Sequence, residues 1–203
     1  LSIYYFHTYR LLWLSGMEKT SKYSQNRPFK VVAFGPESTG KTTLVQSLAK
    51  YFATEWIPEY ARIYLEAKDE LPDEICLPAD IEPIVKGQCS LEDQAISTNK
   101  DLLLFDTNPF QTKIYTDIYF NNFKSKELEK AVTTRKYDLY LLTDIDIPWQ
   151  EDPLRDQPQN RKEIFLIFEN ALIKRQLPYV IISGTHQKRI NQSIQFIKQK
   201  MYE

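Results

Sequence analysis

Cysteine and histidine are scarce in this chain of 203 residues, with only Cys76, Cys89, His7 and His186. No C-x-x-C spacing joins the thiols and the imidazoles stand at opposite ends, which excludes a metal-thiolate centre. Two isolated thiols, serving as small hydrophobic filler or surface residues, suit a reducing cytosol. An excess of one charge is also missing: the formal net charge is −1 and the sequence pI about 6.2, which argues against a general nucleic-acid binder. Local basic clusters such as Lys188-Arg189 remain, as a solvated helix face or as phosphate contacts. There is no long apolar run. The stretch from Leu1 to Leu14 is interrupted by His7 and Arg10, too short for a membrane span, and it lacks a basic leader and a small-residue cleavage site. Met17 opens the polar run Glu18 to Lys22, so residues 1–16 are expected to come from an upstream start assignment, with an interfacial amphipathic anchor as the competing reading. No internal repeat or low-complexity tract is present. The length suits one sizeable α/β domain, here 29–203, after an N-terminal extension, 1–28.

What the chain does have is Gly35-Pro36-Glu37-Ser38-Thr39-Gly40-Lys41-Thr42, a complete G-x-x-x-x-G-K-[ST] phosphate-binding loop. Backbone N–H groups must curl round a polyphosphate, and glycines let the main chain approach without a Cβ clash. Glu37, Ser38, Thr39, Gly40 and Thr43 are expected around the phosphates, Lys41 at the terminal ones, and Thr42 on Mg²⁺. The context fits: Phe29 to Phe34 reads as a buried strand, and Lys41 to Phe52 has helical periodicity through Leu44, Val45, Leu48 and Phe52. ATP and Mg²⁺ are the implied cofactors.

Further along, Glu55 to Ile57 reads as a short strand, Tyr60 to Ala67 as a helix, and Leu71 to Pro83 as a loop or broken helix. Helices are expected at Ile84 to Lys100, Pro109 to Phe123, Lys126 to Thr134, Glu163 to Arg175 and His186 to Lys200. Strands are expected at Leu102 to Asp106, Tyr137 to Leu142 and Tyr179 to Ser183. Strands alternating with helices predict a five-stranded parallel sheet covered on both faces, the α/β fold of P-loop NTPases.

Three further groups carry chemistry. Leu102-Leu103-Leu104-Phe105-Asp106 places a carboxylate at a strand's carboxyl end beside the phosphate loop, where Mg²⁺ is held. Glu59-Tyr60-Ala61-Arg62 lies at the carboxyl end of the second strand, facing an acceptor; its bland reading is a helix-start Glu paired with Arg62. Pro148 to Arg155, with Trp149, Asp152 and Arg155, and then Arg161, sits where small P-loop kinases carry a mobile lid whose arginines neutralise the transferring phosphoryl group.

Together, Gly35 to Leu44, Glu59 to Arg62, Asp106-Thr107, Pro148 to Arg155 and Tyr179 to Gly184 resemble the ribosylnicotinamide kinase domain of the NadR-like NAD-biosynthesis proteins. The resemblance covers Phe29 to the carboxyl terminus. It implies transfer of the ATP γ-phosphoryl group to nicotinamide riboside in the cytoplasm, with Lys41, Glu59, Asp106 and Arg155 catalytic. Trp56, Tyr60 and Trp149 are candidates to face the pyridinium cation, with Glu59, Arg62 and Asp152 beside it. Two departures stand out. Pro58 occupies the place of the stacking Trp that immediately precedes E-Y-x-R in members of the family, and Asn108 replaces an Asp after Asp106-Thr107. Longer relatives add an adenylyltransferase with an H-x-G-H-type motif and a DNA-binding module; neither is expected here. A kinase of another nucleoside, nucleotide or small metabolite, and a non-enzymatic ATP-dependent switch, are the other readings of the same loop.

Overall fold

The computed structural model describes residues 27–68, 76–121, 123–151, 154 and 160–202. The N-terminal extension as far as residue 26, together with Asp152 and Arg155, lies outside them. Five strands, β1 (Phe29–Phe34), β2 (Trp56–Ile57), β3 (Leu102–Asp106), β4 (Leu139–Thr143) and β5 (Tyr179–Ile182), form one sheet in the order β2-β3-β1-β4-β5. Every pairing is parallel, as the alternation of elements predicts.

β1 is buried at all six positions and runs through the centre. Successive side chains point to opposite faces, which divides the core into two layers. Val32, Phe34, Leu103, Phe105, Tyr140 and Leu142 pack on one face against α3 (Ile81–Ile96), α4 (Pro109–Tyr119), α5 (Lys126–Thr134) and α6 (Arg161–Lys174). Val31, Ala33, Leu102, Leu104, Leu139 and Leu141 pack on the other against α1 (Lys41–Phe52) and α7 (His186–Tyr202). α2 (Tyr60–Glu66) lies against α3. No described helix is long and apolar enough to cross a membrane.

Element boundaries differ from the sequence reading for local reasons. α3 starts at Ile81, ahead of Pro83, because a proline in the first turn has no helical N–H to lose. It stops at Ile96, where the Ser97 and Thr98 hydroxyls donate back to the carbonyls of Gln94 and Ala95 and Asn99 turns to φ 54°. α4 ends at Tyr119, with Phe120 leaving the helix in extended backbone. β4 starts two residues late because Tyr137 and Asp138 serve other partners: the Tyr137 hydroxyl donates to buried Glu92, and Asp138 accepts from Arg27 and the Lys30 backbone. Glu92 also receives Arg135 at 3.1 Å, and burial pushes its carboxyl up against that charge. Cys89, expected as filler, accepts from the Arg135 Nε at 3.1 Å.

Asp80 closes the approach to α3. It accepts from the Leu77 N–H at 2.8 Å, the Lys68 ammonium at 2.7 Å and the Tyr64 hydroxyl at 3.2 Å. Burial pushes the Asp80 carboxyl up, but these donors win and hold it below its ordinary value. Asp80→Asn is expected to lower stability by about 2 kcal/mol at neutral pH. A depressed folded pKa contributes stability above the unfolded pKa and loses it as pH falls through the folded one, so wild type and variant should converge on acidification. Denaturant titrations of both proteins across that range measure this; equal midpoints at neutral pH would dismiss the anchoring role.

Candidate active site

The parallel register brings the carboxyl ends of β1, β3 and β4 together. Ala33 pairs with Asp106 and Phe34 with Leu142, so the turn after β1 emerges between the two neighbouring strand ends. That turn is the phosphate loop. Gly35 adopts φ 130°, and a Cβ there would lie 3.1 Å from both the carbonyl oxygen and the hydroxyl of Thr143, so the loop can start here only without a side chain. Thr143 Oγ1 donates to the Phe34 carbonyl at 3.2 Å and lies 2.7 Å from Thr39 Oγ1, pinning the loop to β4. Ser38, at φ 54°, and Gly40, at φ 77°, complete the curl. Gly40 caps α1 without a side-chain bond. The first-turn N–H groups of α1 therefore face the loop's hollow, where the helix dipole favours an anion.

Lys41 is buried and donates to the Gly35 and Pro36 carbonyls at 3.0 and 2.6 Å, folded back along the loop it serves. Thr42 Oγ1 donates to Asp106 Oδ2 at 2.5 Å. The predicted pair of Mg²⁺ ligands is thus one contact, a hydroxyl and a carboxylate beside the phosphate hollow. No group of three or more His, Cys, Asp or Glu that could hold a metal occurs among the described residues. A two-oxygen site fits Mg²⁺, which is commonly held by one or two protein groups with substrate phosphates and water.

Two residues of the stretch expected as a lid, Gln150 and Arg161, meet at Ser38. Its hydroxyl accepts from the Gln150 N–H at 2.7 Å, and its carbonyl accepts from Arg161 at 3.1 Å. Arg161 also donates to the Ile147 carbonyl at 2.9 Å and stands over Trp149 with 5.8 Å to the ring centroid. Burial and the charge of Arg189 lower its pKa. Arg189, expected on a solvated face or at phosphates, is 4 % exposed and binds main chain. It donates to the Gly184, Thr39 and Asp144 carbonyls, each at 2.9 Å, and pairs with Asp146.

A cleft of about 840 Å³ extends from the phosphate loop between α2, α3 and α4. Of the expected site residues, Glu37 to Thr43, Glu59 and Arg62 line it. Glu59 holds the N-cap position of α2 with no side-chain cap bond, and Arg62 donates to Glu66 at 2.8 Å. The three aromatic candidates stand off the cleft wall. Trp56 points to the α1 face of the sheet while its neighbour Ile57 takes the other, and it packs there on the core. The Tyr60 ring lies against Gly87 of α3, so closely that a Cβ there would sit 2.0 Å from it. Trp149 stacks with Arg161. The aromatic wall comes instead from α4 and its end: Tyr115, Tyr119 and Phe120 line the cleft beside Gln111, Thr112 and Thr116. The i, i+4 series 111-115-119 was the readable signal for that face. Asn108, the departure after Thr107, is fully buried and caps α4 by accepting from the Gln111 N–H at 3.2 Å. Cys76 also lines the cleft, as a neutral thiol pushed up to about 11 by burial and the Asp80 charge.

Comparison with known proteins agrees with the motif resemblance. The trifunctional NAD biosynthesis/regulator protein NadR of Escherichia coli K12 is 27% identical over 180 residues, covering 85% of this chain and 43% of that protein. The chain therefore spans less than half the length of this relative. Among solved structures, a NadR protein in complex with NR superposes with a TM-score of 0.71 at 24% identity, over 86% of this chain and 50% of that one. A NadR protein in complex with NAD and AMP-PNP gives a TM-score of 0.69 at 24% identity, over 86% and 49%. The AAA_28 family, described as an AAA domain, matches residues 30–189, from β1 into α7. With that match laid over the phosphate loop, the strand-end Asp106 and the parallel sheet that joins them, the chain belongs to the AAA_28 family of P-loop AAA domains.

Proposed function

We propose that the protein is an ATP-dependent small-molecule kinase that phosphorylates the 5′-hydroxyl of nicotinamide riboside, giving nicotinamide mononucleotide in the cytoplasm. The observation that carries this reading is the continuity of the cleft. One end is a phosphate loop with Lys41 and Thr42; the other is an aromatic and carboxylate pocket with Glu59, Arg62, Tyr119 and Phe120. A nucleotide switch has no use for that second compartment. A pyridinium cation suits aromatic faces and nearby carboxylates, and a NadR protein solved in complex with NR supports this choice of acceptor.

In this reading the backbone amides of residues 37–43 and Lys41 hold the ATP phosphates. Thr42 and Asp106 would hold Mg²⁺, which when bound neutralises charge on the phosphates. Glu59 takes the proton of the attacking hydroxyl, whose oxygen bonds to the γ-phosphorus as the bond to the ADP oxygen breaks. Arg161, bound to the Ser38 carbonyl of the phosphate loop, is the cation to neutralise charge on the transferring group; Arg155 and Asp152, expected at that group and its acceptor, lie outside the described residues.

The purified protein, given ATP, Mg²⁺ and a panel of nucleosides, nucleotides and sugars, is expected to release ADP with nicotinamide riboside and form nicotinamide mononucleotide, identified by mass. Phosphorylation of another nucleoside without that product would replace the acceptor assignment. ATP binding without acceptor-dependent ADP release would favour a switch.

A further inference from the structure

One polar group in the cleft is left over by the mechanism above. The Tyr115 ring is held between Phe168, at 5.4 Å and 66°, and Tyr119, at 6.0 Å and 13°. Its hydroxyl oxygen is buried and makes no hydrogen bond of regular geometry among the described residues; the Glu37 main chain lies beside it as a donor, so what the hydroxyl lacks is an acceptor for its own proton. Burial and the charges of Glu37 and Glu59 push the phenol well above its ordinary pKa and outweigh the Glu37 N–H that draws it down, so it stays a neutral donor. Both carboxylates line the same cleft. A buried hydroxyl whose proton has no acceptor is costly, and it is well matched to a ligand that supplies one.

The surroundings select that partner. An anionic group is repelled by two carboxylates, and an apolar group leaves the phenol as it was. An alcohol fits, because it accepts from Tyr115 while donating to a carboxylate. The attacking hydroxyl is the wrong alcohol, since donation to it would withdraw the electron pair it needs for phosphorus. We infer that the Tyr115 hydroxyl reads a sugar hydroxyl of the acceptor other than the one phosphorylated, so that the site prefers ribosides to deoxy analogues. This rests on the acceptor reading above. Tyr115 acts in it as a specificity-determining residue.

The test compares nicotinamide riboside with its 2′-deoxy and 3′-deoxy analogues as acceptors for the full chain and for Tyr115→Phe, which keeps the ring. The full chain is expected to prefer the riboside over one of the analogues by about tenfold or more in kcat/KM. Tyr115→Phe should lose most of that preference while keeping its unfolding temperature and its KM for ATP. No preference in the full chain, an undiminished preference in the variant, or a variant slowed equally on all three acceptors overturns the inference and leaves the proposed reaction standing. If nicotinamide riboside is not phosphorylated at all, the proposed reaction fails. The same comparison then uses the nucleoside the panel identifies, with the same outcomes, and a protein that accepts no nucleoside overturns both.

Discussion

Lys41→Ala is expected to lower phosphoryl transfer by a factor on the order of a thousand or more. The ammonium is the one cationic side chain of the loop Gly35 to Thr42, whose other donors are neutral amides and hydroxyls. In the structure it is already held there by the Gly35 and Pro36 carbonyls, at 3.0 and 2.6 Å. Preorganisation of this kind means that the charge reaches the β- and γ-phosphates without searching rotamers, so its removal falls on the transition state as well as on ATP binding. Single-turnover assays at saturating ATP isolate the first effect. A variant within tenfold of wild type under those conditions would show that Lys41 does not stabilise the transferring group. The fold should survive the change, since both layers of the core lie on the faces of the sheet and away from this side chain.

Glu59→Gln should behave differently. The carboxylate lines the cleft from the N-cap position of α2, and in the proposed reaction it serves the acceptor while the turn after β1 serves the phosphates. The amide keeps the size of the side chain and loses the ability to take a proton. Acceptor phosphorylation is expected to fall by about a hundredfold or more while the KM for ATP stays within a factor of a few. Steady-state kinetics with each substrate varied in turn separate the two. Unchanged turnover would remove Glu59 from the chemistry and leave it as a helix-start residue.

The parts of this site that the sequence made legible are those where backbone chemistry demands particular residues. A glycine at Gly35 follows from the main-chain approach to Thr143, a lysine and hydroxyl follow at the start of a helix, and Asp106 follows from the direction of a buried strand. The parallel sheet is legible for the same reason, because runs such as Leu102 to Phe105 suit only strands buried on both faces. The aromatic wall was not legible. Trp56, Tyr60 and Trp149 are near the motifs in sequence, but a strand's alternation sends Trp56 to the far face and a glycine on α3 draws in the Tyr60 ring. The i, i+4 spacing of Gln111, Tyr115 and Tyr119 marks one face of α4, but how α4 rests on the sheet decides what that face meets, and no local pattern specifies that. Arg189 was similarly hidden, since its partners are main-chain carbonyls and a carbonyl leaves no mark in the sequence.

Arg189 ties the site to the order in which the protein is made. Its guanidinium gathers the carbonyls of Thr39, Asp144 and Gly184, from three separate connections, and it sits in α7. During synthesis the phosphate loop must wait for a residue 150 positions later before its main chain is held. The central strands can associate before then. A nascent chain that still lacks α7 is accordingly expected to form its sheet yet bind nucleotide poorly, which nucleotide titration of ribosome-bound chains halted before and after that helix can measure. Competence for ATP then waits on α7, so a nascent chain without that helix does not capture a substrate it cannot use.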